Sequence, residues 1–80
     1  MDDREIVAHI GELAEEERRL EEAHLGEGLS DAERERLDGL QETLDRLWDL
    51  LRQRRALRSA GRDPEDAVER PSDTVERYLQ

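Results

Sequence analysis

Eighty residues allow one small domain at most. With 23 acids, 13 arginines and no lysine, the chain carries a net charge of −10; 45% of it is charged and 34% hydrophobic, with one Trp, one Tyr and neither Phe nor Cys. This excludes a disulfide scaffold, a thiol nucleophile and cysteine-ligated metal sites, and the acidity opposes non-specific nucleic-acid binding by the whole surface.

No apolar run approaches the ~20 residues that cross a bilayer. The opening Met1-Asp2-Asp3-Arg4-Glu5 lacks the basic and apolar regions of a signal peptide. The expectation is a cytoplasmic protein that does not enter a membrane. The charge falls into three blocks: net −7 over residues 1–29, zero over 30–60 and −3 over 61–80. Three blocks suggest three segments.

The first block predicts a helix over about residues 3–25. Ile6, Ile10, Leu13 and Leu20 recur at three- and four-residue steps, with Glu17 and His24 filling the polar positions of the same seam. Asp2, Asp3 and Glu5 sit at its start, where the helix dipole favours negative charge. Gly26-Glu27-Gly28 predicts a glycine-capped break and a tight connection. Ser30-Asp31-Ala32-Glu33 then matches a capping box, in which the Ser30 hydroxyl and the Glu33 carboxylate each accept the other's backbone amide.

The second helix is predicted over 31–60. Leu37, Leu40, Leu44, Leu47 and Leu51 form a strict three-four seam, flanked by Trp48, Leu50 and Leu57. Gly61 ends it. Residues 61–80 read as a tail of short helical turns. Asp63 caps Pro64 at its start, Pro71 interrupts it, and Val68, Val75, Tyr78 and Leu79 are its apolar anchors.

A short loop between two long helices makes them antiparallel neighbours. Pairing outward from the bend sets Leu20 near Leu37, Ile10 near Leu44 and Leu47, and Ile6 near Leu47 and Leu51. At about 1.5 Å per residue, the second helix outruns the first and sets its arginine-rich end beside Asp2 and Asp3. The fold class is therefore all-α. It is a coiled-coil-like antiparallel hairpin over residues 1–60 with a partly helical tail, and it is expected to dimerise into a four-helix bundle. Two helices alone bury little, and Trp48, Leu50 and Val7 lie off the hairpin seam, which marks them as the interface between copies.

The candidate chemistry is sparse. The serines sit at caps and helix ends, and the carboxylates crowd every face, so no catalytic site is expected and no cofactor is implied. Glu21 and His24 have the Glu-x-x-His spacing of di-iron bundles. The inward partner positions nearest them are Leu37 and Leu40, so the reading that His24 covers the bend is preferred. His9 is expected on an exposed flank. Glu17 occupies a seam position where a carboxylate needs a partner; Arg34 and Arg36 are the candidates.

The region from Arg52 to Arg62 holds five arginines and no acid. Guanidinium forks bind phosphate and carboxylate. Arg52, Gln53, Arg55, Arg58 and Arg62 are thus the candidate surface for an anion or a protein partner. The competing reading pairs the arginines with Asp2, Asp3, Glu5 and the acidic tail. The resulting function is a self-associating helical interaction protein with a protein partner, not an enzyme. The alternatives are a regulatory module that holds a phosphorylated ligand or nucleic acid on the arginines and, further off, a ferritin-like metal protein.

The run Leu44-Asp45-Arg46-Leu47-Trp48-Asp49-Leu50-Leu51-Arg52-Gln53-Arg54-Arg55-Ala56 resembles the signature stretch of a family of short proteins found mainly in high-GC actinobacteria and known as a domain of unknown function. Met1-Asp2-Asp3, Gly61-Arg62-Asp63-Pro64, Arg70-Pro71, Val75-Glu76 and Tyr78 fit the same pattern. The absence of lysine agrees with a GC-rich coding sequence. The resemblance implies a small helical protein and carries no activity with it.

Overall fold

A computed structural model describes residues 1–23 and 28–70. Helix α1 spans Asp3–Ala23 and helix α2 spans Asp31–Ser59; a 3-10 turn follows at Pro64–Asp66. Among the described residues there is no strand. The glycine bend at Gly26, the seam position of His24 and the last turn around Val75, Tyr78 and Leu79 lie outside the described residues.

Each helix starts on a reciprocal cap. Ser30 Oγ accepts the Glu33 amide at 3.2 Å and the Glu33 carboxylate accepts the Ser30 amide at 3.0 Å, as the sequence predicts. The start of α1 carries a second box. Asp2 Oδ1 accepts the Glu5 amide at 2.8 Å, and Glu5 Oε1 accepts the Asp2 amide at 3.3 Å. Asp2 therefore does more than complement the dipole, since it and Glu5 between them occupy two otherwise orphaned donors. Helix α2 ends on Gly61 at φ 72°. There the Arg62 amide donates to Leu57 O and the Gly61 amide to Arg58 O, at 2.8 and 3.1 Å. This pair of bonds requires a left-handed residue between them.

The seam closes as the spacing predicts. Ile6, Ile10, Leu44, Leu47, Leu50 and Leu51 form the core cluster, with Leu13 and Ala67 packed against it. Leu40 is also buried, but Leu20 and Leu37, nearer the bend, are half-buried. The core therefore lies toward the open end of the hairpin, where residues 64–70 turn back along α2 as a third piece. Leu50 corrects an expectation. The sequence places it at an interface between copies, yet it is buried in the chain's own core, against which Ala67 of this strap packs.

Two polar positions also differ from expectation. Arg36 bridges the helices as a fork, but onto Glu16 and not Glu17, with Nε and Nη2 each donating at 2.8 Å. Glu16 lies about 100° round the helix from Glu17, on the flank where a long guanidinium can reach a carboxylate still open to water. His9 is half-buried, and its Nδ1 is shut from solvent with no hydrogen-bond partner. The molecule measures 50 × 25 × 16 Å. The thin dimension is little more than one helix diameter of roughly 10–12 Å.

Candidate functional site

The seam of α2 does not stop at Leu51. The same steps continue to Arg54 and Arg58, and the seam of α1 begins one step before Ile6, at Asp3. Where the leucines run out, an acid on one helix meets two arginines on the other. Arg54 is 7% exposed. Its Nε donates to Asp3 Oδ1 at 2.6 Å, and its Nη1 donates to Pro64 O at 3.3 Å and to Glu65 Oε1 at 3.2 Å. Arg58 Nη2 donates to Asp3 Oδ2 at 2.7 Å. The Arg54 guanidinium first, then that of Arg58, holds the Asp3 carboxyl below the usual carboxylate range, and Asp3 in turn raises the pKa of Arg54. This clamp ties the start of α1, the end of α2 and the 3-10 turn together.

A second clamp fastens the strap. Asp49 is fully buried on the outer side of α2. Arg70 approaches it as a fork, with Nε donating to Oδ2 at 2.9 Å and Nη2 to Oδ1. Gln53 Nε2 donates to the same carboxylate at 2.9 Å and to Val68 O at 2.7 Å, while Gln53 Oε1 accepts the Val68 amide at 3.4 Å. The Arg70 bonds hold the Asp49 carboxyl below its usual range, against the opposing effect of burial.

This splits the residues that the sequence groups as an anion surface. Gln53 is spent on the strap, and Arg58 is spent on Asp3. Arg52, Arg55 and Arg62 are exposed, with Arg52 no nearer than 4.0 Å to Asp49. The competing expectation, arginines of this cluster paired with Asp3 and the acidic tail, holds for Arg54 and Arg58, whereas the sequence singles out neither Arg54 within the cluster nor the Asp49–Arg70 pair. For Arg54 a signal was present in the unbroken three-four stride from Leu47 through Leu51. For Asp49 and Arg70 there was none, because the residues that cover Asp49 are about twenty positions away in the chain.

On another face of the hairpin, large apolar side chains are exposed. Val7 follows Ile6 by one residue and Trp48 follows Leu47 by one. On antiparallel helices, equal rotations of about 100° carry both side chains to the same broad side. Val7 is 53% exposed and Trp48 45%. Gly11 and Ala14 are exposed on the same flank of α1. Two shallow depressions flank Trp48 along α2. One is lined by Asp38, Gln41, Glu42 and Asp45, the other by Arg52, Gln53, Ala56 and Arg70.

Of the candidate metal pair, Glu21 is exposed and His24 lies outside the described residues. Among the described residues, no three His, Asp or Glu side chains gather as metal ligands would, and no helix is long and apolar enough to cross a membrane.

A family model described as "protein of unknown function (DUF2630)" matches residues 2–80. Uncharacterized proteins of Mycobacterium bovis and of Mycobacterium tuberculosis strains CDC 1551 and H37Rv are each 48% identical over 77 residues, covering 95% of this chain and 88% of theirs. No solved structure matches. With the family model aligned along the whole clamped hairpin and mycobacterial relatives close to half identical over it, the chain belongs to the DUF2630 family of proteins of unknown function.

Proposed function

We propose that the protein is a non-enzymatic helical interaction module that self-associates through the open face carrying Trp48. The observation that supports this is the position of the single tryptophan. It sits next to the buried Leu47 on the side of α2 that the strap leaves bare, with the exposed Val7 on the same side. Several of the protein's reactive side chains serve the fold. Ser30 caps α2, and Asp3 and Asp49 hold arginines.

Tryptophan side chains bury roughly 150–250 Å² in cores and interfaces. Covering the exposed half of Trp48 removes on the order of 100 Å² from water, about 2–3 kcal/mol per copy at ~25 cal/mol per Å². A second copy supplies that cover without lengthening an 80-residue chain. Sedimentation equilibrium at micromolar concentration tests the reading. The expected mass is twice the 9.4 kDa of the chain, with Trp48→Ala shifting the protein toward the single chain. A wild-type chain that stays single at tens of micromolar rejects it.

A further inference from the structure

Along the side of α2 that carries Trp48 runs a second stripe with the same three-four stride as the core seam: Asp38, Gln41, Asp45, Trp48, Arg52, Arg55 and Ser59. Asp45 is half-buried and the others are exposed. Such a stride keeps its residues on one face of a helix, and a stripe of this kind is what one helix offers another.

Its charges are sorted by position. Asp38 and Asp45 lie on the N-terminal side of Trp48, with Glu42 beside the stripe in the same depression, and Arg52 and Arg55 lie on the C-terminal side. Among the described residues, Asp38, Glu42, Asp45 and Arg55 form no ion pair, and Arg52 only grazes an Asp49 that Arg70 already holds. Arg4, Arg19, Arg34, Arg46 and Arg62 likewise form no ion pair among the described residues, but none of them lies on this stripe. Arg18, Arg36, Arg54, Arg58 and Arg70 all have carboxylate partners.

We infer that this stripe is the docking surface for a second copy of the chain, laid antiparallel on α2 with its two-fold axis beside Trp48, so that Asp45 of each copy faces Arg52 of the other and Glu42, at the edge of the stripe, comes level with Arg55. The inference rests on the self-association proposed above and specifies its geometry. A two-fold axis between positions 48 and 49 sets position 45 opposite 52, 42 opposite 55 and 41 opposite 56. The acidic depression of one copy then receives the basic residues of the other twice over, and the two tryptophans lie together at the centre. A parallel arrangement sets Asp45 on Asp45 and Arg52 on Arg52, which like-charge repulsion opposes. The contact is isologous and closes at two copies. A partner of uniform charge matches only one half of this surface; a second copy brings an opposite charge to both halves.

The test uses the full chain with two pairs of substitutions, Glu42→Arg with Asp45→Arg, and Arg52→Glu with Arg55→Glu. These side chains are not in the core, and circular dichroism checks that each variant keeps its helices. Each variant alone is expected to lose at least tenfold in self-affinity by sedimentation. An equimolar mixture is expected to recover dimer, with native mass spectrometry finding one chain of each kind.

A second readout exploits the absence of cysteine. Asp45→Cys chains mixed with Arg52→Cys chains are expected to oxidise to the mixed disulfide in preference to either like pair. If the wild type dimerises but the charge variants do so equally well, or the mixture recovers nothing, the antiparallel register is overturned while self-association stands. If the wild type is a single chain, both readings fall.

Discussion

Arg54 and Asp49 show how differently two buried charges are handled in a small fold. Arg54 enters on the seam itself, where a leucine would otherwise stand, and its guanidinium finds Asp3, Glu65 and a backbone carbonyl. Asp49 starts on the outer side of α2 and is buried only because Arg70 and Gln53 close over it. Removing one member of such a pair leaves the other charge poorly solvated, so each pair specifies a neighbour more than it adds net stability. The consequence is a pH dependence of known sign. Asp3 and Asp49 have folded-state pKa values below the ordinary carboxylate value of about 4. Their contribution is therefore complete above that value and is lost as pH falls through the lower folded-state values. Amide hydrogen exchange at Val68 is expected to stay protected down to about pH 4 and to accelerate in stronger acid. Asp49→Asn should remove most of that dependence; an unchanged profile in this variant would show that Asp49 does not hold the strap.

At the level of elements, both helices are built from caps and seams, and their outer faces from Glu and Arg. Arg18, for example, donates to Glu15 and to Glu22 along one face of α1. Exposed pairs of this kind add little stability. Glycine matters more. Gly39 lies inside α2, and a Cβ there would meet nothing within 4 Å. Gly39→Ala is expected to raise stability by about 0.5–1 kcal/mol, because it limits the unfolded chain and costs no contact. Gly61 has equally open surroundings, but it holds φ 72°. Gly61→Ala is expected to lower stability by about 1 kcal/mol, from the left-handed strain alone. Urea unfolding followed by circular dichroism measures both. Equal effects would show that space and not backbone conformation decides.

The whole molecule is a thin hairpin whose core is displaced from the bend toward the open end, where the strap makes a third partner. The unequal burial predicts unequal costs. Leu47 is 2% exposed within the core cluster, and Leu47→Ala is expected to cost about 2–5 kcal/mol. Leu20, half-buried near the bend, is expected to cost less than half as much. Both values are read from urea unfolding at fixed protein concentration, since assembly itself raises apparent stability. Similar costs would place the core along the full hairpin.

Much of this was already legible in the chain. The Leu37-to-Leu51 stride, the Ser30 box and the glycine at position 28 pointed to two antiparallel helices and their pairing, because helical period, capping and glycine freedom act over a few residues. The overhang of α2 likewise placed its arginines near Asp3. Which arginine would be taken inside, that Leu50 would face the strap and not a second chain, and that Asp49 would be sealed by Arg70 followed only from the tertiary structure. Those outcomes depend on where residues 64–70 return along α2. A segment with one short turn and few apolar residues has no periodicity to announce its path, and its position is set by ion pairs and hydrogen bonds to side chains eleven to twenty-one residues earlier in the chain.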